Sequence, residues 1–377
     1  MKPLMWLGAT SVGGLTLPDA QPTPSQIYAP RGVFMNDDVL IAVDSGNHRV
    51  MMWHGLPTET GQPADVVLGQ QDFYSEGPRA DETSRENGFH LPTGVGVYNG
   101  KLFLADAWHH RVLVWNQVPT ESNTPPDYAI GQANLSEIEP NRGGEATATS
   151  LYWPYGITYH WGWFYIADTG NRRVLGWQGL PEPNQEPDLL LGQANFSDTL
   201  ENRGGAVGAN TFRWAHAFAG TDDMLYVADA GNHRILGWQL PLTEDCPADV
   251  VIGQADFTSA WELPYGAQGP QRLRFPYAIA IEDDVLCVAD TANNRVLFWC
   301  DPPKSGCYAA ADAVIAQNNF DENGENRWIA VEADTLCWPY GVHMHNGRLA
   351  VADSGNNRVV VWDVSDVRQP DAVQGGV

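Results

Sequence analysis

The octapeptide VDSGNHRV, residues 43–50, returns as ADAWHHRV (105–112), ADTGNRRV (167–174), ADAGNHRI (228–235), ADTANNRV (289–296) and ADSGNNRV (352–359). Its aspartates, Asp44, Asp106, Asp168, Asp229, Asp290 and Asp353, stand 62, 62, 61, 61 and 63 residues apart. Five residues after each comes an arginine (Arg49, Arg111, Arg173, Arg234, Arg295, Arg358), and nine after each a tryptophan (Trp53, Trp115, Trp177, Trp238, Trp299, Trp362). Fourteen before each Asp is a proline (Pro30, Pro92, Pro154, Pro276, Pro339), with Ala215 in the fourth copy. Agreement at this many columns is the signature of a repeat architecture.

Each unit holds four short runs of strand-forming residues separated by turn residues, which in the third copy read YGITY, WFYIAD, RVLGW and DLLLGQ. Four sequential strands repeated six times predict an all-β fold, a six-bladed propeller of four-stranded antiparallel blades. The chain is read as one such propeller over residues 1–377, with blades starting near 29, 91, 153, 214, 275 and 338. The repeated indoles are expected to pack between neighbouring blades. Trp153, Trp214 and Trp338 add a second aromatic column just before the Pro/Ala position.

A ring must be closed or it leaves an unpaired edge. The fourth-strand motif VVLGQQDF is echoed at Leu4–Gly8 and more faintly at Pro370–Gly375. The N-terminal copy, residues 4–8, is the expected closing strand because its Leu-Gly ending matches and it precedes the first inner strand. That makes the opening stretch structural rather than a signal peptide.

DSGNHRV (44–50), DAGNHRI (229–235) and DSGNNRV (353–359) resemble the signature of NHL repeats, and the resemblance runs from Ile27 onward. It implies the propeller fold. The family includes an amidating lyase, RNA-binding modules and protein-interaction platforms, so fold does not choose function. In the lyase, three His residues, each after a Pro, hold zinc at the start of the inner strands. The matching column here reads Arg31, Thr93, Tyr155, His216, Tyr277 and Tyr340. Only His216 corresponds, and one His cannot supply the three ligands of a catalytic zinc. The column also lacks the Asn, Asp and Glu of a calcium centre. His343 and His345 share one face of the last inner strand, two ligands without a third. The expected cofactor is therefore none, with a divalent metal at His216 or at His343 and His345 as the lesser reading.

Composition narrows the classes further. There are 46 acidic residues against 21 Lys and Arg, a net charge of −25. That balance disfavours binding to nucleic acid, for which only Arg142, Arg172, Arg173 and Arg203 would offer a local patch. No apolar run is long enough for a membrane span. Five cysteines, an odd number, fit a reducing, cytoplasmic setting, with Cys300 and Cys307 close enough in sequence to pair. No nucleophile elbow, phosphate loop or dinucleotide fingerprint occurs.

The recurring Asp, Arg and Gly-Gln pairs recur too often to be one active site and are read as architecture. The Asn-Arg pairs of the long connections (Asn141-Arg142, Asn202-Arg203, Asn326-Arg327) are read likewise, and their acidic clusters (Glu76, Asp81, Glu82, Glu86; Glu137, Glu139; Asp321, Glu322, Glu325) suit a basic partner. Places that depart from the repeat are the candidates for recognition: Trp108, His109 and His110 on the second turn, and Arg31, Tyr155, His216, Tyr277 and Tyr340 around the tunnel mouth, where a small ligand would also fit. The reading is a non-catalytic propeller that binds another protein as a scaffold or accessory subunit. A metal-dependent hydrolase or lyase with its site in the tunnel is the alternative.

Overall fold

The Asp turn that marks each repeat joins the second strand of a blade to the third. The computed structural model describes residues 1–8, 22–80, 84–262 and 268–368. In each turn a short 3₁₀ segment is followed by a residue in the left-handed region: His48, His110, Arg172, His233, Asn294 and Asn357 all have φ between 54° and 56°. Asn and His tolerate that region better than most side chains. The turn brings Asp and Arg directly opposite each other, as in Asp44↔Arg49 and Asp353↔Arg358.

Six antiparallel sheets result, each in strand order one to four from the axis outward. In blade three the strands are Pro154–His160, Trp163–Asp168, Arg173–Gln178 and Leu189–Leu191. The middle strands are buried nearly throughout, because a neighbouring blade covers each face of the sheet; they therefore read as continuous apolar runs rather than alternating ones. The core divides into six clusters, each shared by two adjacent blades and each holding one repeated Trp. The indoles thus pack between blades, as expected. Five of them also donate to a backbone carbonyl, as Trp53 does to Gln62 at 2.9 Å.

Closure uses the N-terminal strand. Lys2–Gly8 pairs antiparallel with Arg358–Asp363, from Lys2↔Asp363 to Gly8↔Arg358, and becomes the outer strand of blade six. The seam is packed like the other junctions, with Leu7 and Ile27 meeting Ala350, Val359 and Val361. The competing C-terminal echo at residues 370–375 lies outside the described residues. The amino terminus also reaches Asp366 at 3.1 Å.

Two features were not anticipated. Gly306–Cys307, from the connection between strands three and four of blade five, adds a parallel fifth strand to the outer edge of blade four. Cys300 and Cys307 are both unpaired. In blades three to six a bulge falls at the start of the inner strand, between Pro154 and Ile157 and at the equivalent places. A bulge re-aims the side chain beside it, and here it turns the mouth column toward the axis. No helix among the described residues is long and apolar enough to cross a membrane.

Candidate functional site

The repeated polar residues form one network, built six times. Each Asp is fully buried. In blade three, Asp168 Oδ2 accepts from Arg173 Nε at 2.7 Å and from Asn171 at 2.8 Å, while Oδ1 accepts the Tyr152 backbone N–H. The outer guanidinium nitrogens donate to carbonyls of the incoming connection, Thr147 and Ser150 for Arg173, Gly208 and Thr211 for Arg234. Burial pushes Asp168 up, and the arginine and donated hydrogen bonds offset part of it. The glutamines of the Gly-Gln pairs tie the outer strand to the turn, as Gln193 does to the Asn171 and Leu200 carbonyls. Among the described residues the Oε1 atoms of Gln70, Gln132, Gln193 and Gln317 accept no hydrogen bond, but the bonds these residues do make join turn, strand and connection, and their work is architectural.

The residue after Asn in the turn links blades. His48, His110 and His233 each accept, through Nδ1, a backbone N–H of the next blade (Leu91, Trp153 and Phe275), at 3.0 to 3.2 Å. Asn294 and Asn357 do the same with Oδ1. His110 is thus the ordinary occupant of its column. His109 replaces the usual Asn, sits buried, and contacts Asp106 Oδ2 at 2.8 Å. Burial would raise Asp106, but His109 and Arg111 overcome it and hold the carboxyl at about 2. Of the three residues at this turn only Trp108 is exposed, in place of a Gly or Ala, and it leans on His90 with ring centroids 5.7 Å apart.

The mouth column does come together. Tyr155, His216, Tyr277 and Tyr340 form an aromatic arc: Tyr155 to His216 is 4.2 Å, His216 to Tyr277 4.6 Å and Tyr277 to Tyr340 4.8 Å between centroids. The Arg31 guanidinium lies 5.1 Å above the Tyr340 ring. Thr93 turns away and donates to the Tyr155 carbonyl at 2.8 Å. His216 is fully buried, with Nδ1 3.0 Å from the Trp214 carbonyl; burial holds its pKa at about 3. Below the arc a cavity of about 240 Å³ runs down the axis.

The next column, Gly32, Gly94, Gly156, Ala217, Ala278 and Gly341, is made only of small residues. A Cβ on Gly156 would stand 2.0 Å from the His216 carbonyl oxygen, and one on Gly32 2.0 Å from that of Thr93. The inner strands therefore touch backbone to backbone directly under the mouth. The run of Gly and Ala one residue past the mouth column was the available sequence signal for this ring.

The remaining candidates stand apart. His343 and His345 lie toward the other end of the inner strand, His343 accepting the Met35 N–H at 3.4 Å and His345 paired with Asp37 at 2.8 Å. Among the described residues no group of three His, Cys, Asp or Glu side chains is arranged to hold a metal. The four arginines of the nominal basic patch are engaged: Arg173 is buried, Arg142 donates to Thr149 and Asn184, Arg203 meets Asp245, and Arg172 lies 3.8 Å from Glu201. Asn141 and Asn171 exchange amide hydrogen bonds, as do Asn326 and Asn356, which anchors the long connections. Asp81 and Glu82 of the first acidic cluster lie outside the described residues.

Exposed large apolar residues are unevenly distributed. Strand order places the Asp turns and the blade-to-blade connections on one face of the ring, the face that holds the mouth. Among the described residues, nine of the eleven exposed large apolar side chains belong to it. Tyr74, Leu200, Trp261, Trp328 and Ile329 come from the connections, Tyr28, Tyr152 and Trp338 from the approach to the inner strands, and Trp108 from the turn. Trp261 is 70% and Trp328 76% exposed. Trp161 sits on the opposite face and Leu4 on the outer strand.

The blade count, the closing strand and the repeated turn define a six-bladed β-propeller built from Asp–Gly–Asn turns. Against known proteins, the chain is 22% identical over 388 aligned residues to NHL repeat-containing protein 2 of Bos taurus, an alignment covering 94% of this chain and 49% of that protein. The chain thus spans about half the length of this curated relative. No family model matches it. Similar solved structures include virginiamycin B lyase from Staphylococcus aureus (12% identity, 90% of this chain and 96% of that one, TM-score 0.42). A chain of the nidogen/laminin complex (13%, 85% and 86%, TM-score 0.45) and the computationally designed Ika8 protein (9%, 97% and 100%, TM-score 0.43) are others. The protein is a six-bladed β-propeller whose sequence is similar to that of an NHL repeat-containing protein.

Proposed function

We propose that this propeller is a non-catalytic scaffold or accessory subunit that offers the mouth face of its ring to another protein. The observation that carries the reading is the crowding of exposed Trp, Tyr, Leu and Ile on that one face. Exposed apolar groups scattered singly need no explanation, but many on one face mark an interaction surface. Tryptophan and tyrosine are the side chains that most often dominate binding energy at protein interfaces. The recurring polar groups are consumed by the architecture, which leaves these rim residues free to differ from blade to blade.

The test compares partner capture by the wild-type chain, by a Trp108→Ala, Trp261→Ala, Trp328→Ala variant, and by Trp161→Ala as the opposite-face control. The triple variant is expected to lose the partner by at least about tenfold, since hot-spot truncations cost about 2 kcal/mol or more each. Trp161→Ala is expected to behave as wild type. Equal capture by all three proteins overturns the reading.

A further inference from the structure

Arg31 is the one lysine, arginine, aspartate or glutamate among the residues lining the axial cavity. It has no carboxylate partner among the described residues, in a chain whose net charge is −25. Its guanidinium is held against the Tyr340 ring, which orients its N–H groups without neutralising them.

Two buried polar atoms at the same level also lack protein partners, Tyr155 Oη and His216 Nε2. Both residues line the cavity and are less than a tenth exposed. The Tyr155 hydroxyl lies beside Arg31 but in no well-formed hydrogen bond. His216 Nδ1 faces a carbonyl, which only accepts, so Nδ1 carries the proton and Nε2 is a bare acceptor. Orphaned buried groups of this kind cost free energy until something pairs with them. Beneath them Val33, Val95, Ile157, Phe218, Ile279 and Val342 form an apolar ring in the wall, while Thr158, His160 and His343 also line the cavity.

We infer that the mouth and upper cavity bind a small organic carboxylate with an apolar tail and a hydroxyl or amino group beside the carboxyl carbon. The carboxylate accepts from Arg31 and Tyr155, the neighbouring donor meets His216 Nε2, and the tail enters the apolar barrel. The cavity, about 240 Å³, falls below the roughly 300–1,000 Å³ of pockets for drug-sized ligands, so the ligand is metabolite-sized. This site is separate from the exposed rim and stands whether or not the rim binds a partner.

Calorimetric titration with butanoate, 2-hydroxybutanoate, hexanoate and butanamide tests it. 2-Hydroxybutanoate is expected to saturate one site and to bind at least about tenfold tighter than butanamide, because the neutral amide cannot make the charge-assisted hydrogen bonds that a carboxylate makes to Arg31. It is also expected to bind more tightly than butanoate. Arg31→Gln, at a half-exposed position, is expected to weaken it by a similar factor while keeping the wild-type melting temperature. Tyr155→Phe weakens it too, and should that variant fail to fold, Arg31→Gln alone decides. The rim triple variant is expected to bind as wild type does. No saturable binding by any of the acids, as for a cavity filled only by water, overturns the inference, and so does unchanged affinity in Arg31→Gln.

Discussion

The six buried Asp–Arg pairs show how a charge can be kept in a core. Asp168 and Arg173 are both fully buried, yet the carboxylate accepts three hydrogen bonds and the guanidinium donates to the Thr147 and Ser150 carbonyls as well as to Asp168. Losing one partner of such a pair would cost about 3–5 kcal/mol. The turn histidines carry a different consequence. Burial holds His48, His110 and His233 at about 4, with neighbouring charges adding to or offsetting the effect. In the unfolded chain they would titrate near about 6.5. Between those values the unfolded state binds more protons, so stability falls as pH drops from about 6.5 toward 4. A His48→Asn, His110→Asn, His233→Asn variant keeps an acceptor for each inter-blade N–H, as Asn294 and Asn357 already do. Its melting temperature is expected to fall less than that of wild type between pH 7 and pH 5. Parallel curves would refute the assignment.

Among the elements, the inner strand decides what the axis can hold. Its bulge aims one side chain inward and its next residue must be small. Gly156→Ala forces a Cβ against the His216 carbonyl and is expected to lower stability by about 1–3 kcal/mol in denaturant titration. Gly205→Ala, with its nearest neighbour atom 3.7 Å away, is expected to change little. Columns that recur six times were legible in the sequence, including the Trp positions, the Asp turn and the mouth column. His110 was not, because the whole turn looked foreign once Gly and Asn were gone, although His occupies that position in copies one and four. The strand at Gly306–Cys307 has no counterpart in other blades and no strand-forming composition, so periodicity could not find it.

For the whole molecule, the aromatic face was not evident in the sequence because no column is apolar in every repeat. Tyr28 and Tyr152 share one position and Leu200 and Trp261 another, while the remaining members are spread over other positions, and all share a face only once the ring is closed. Closure itself rests on Lys2–Gly8. Deleting residues 1–8 is expected to bare the edge at Arg358–Asp363, lower the melting temperature and promote self-association, since an uncovered edge strand is a template for pairing. Light scattering after size exclusion reads this directly; an unchanged monomer of wild-type stability would contradict the closure described. The same arrangement orders events during synthesis. Lys2–Gly8 is made before the blades of the ring yet is the last of its strands to find a partner, because that partner belongs to blade six. Blades one to five can gather as they emerge, but the toroid stays open, with Lys2–Gly8 unattached, until Arg358–Asp363 has been made.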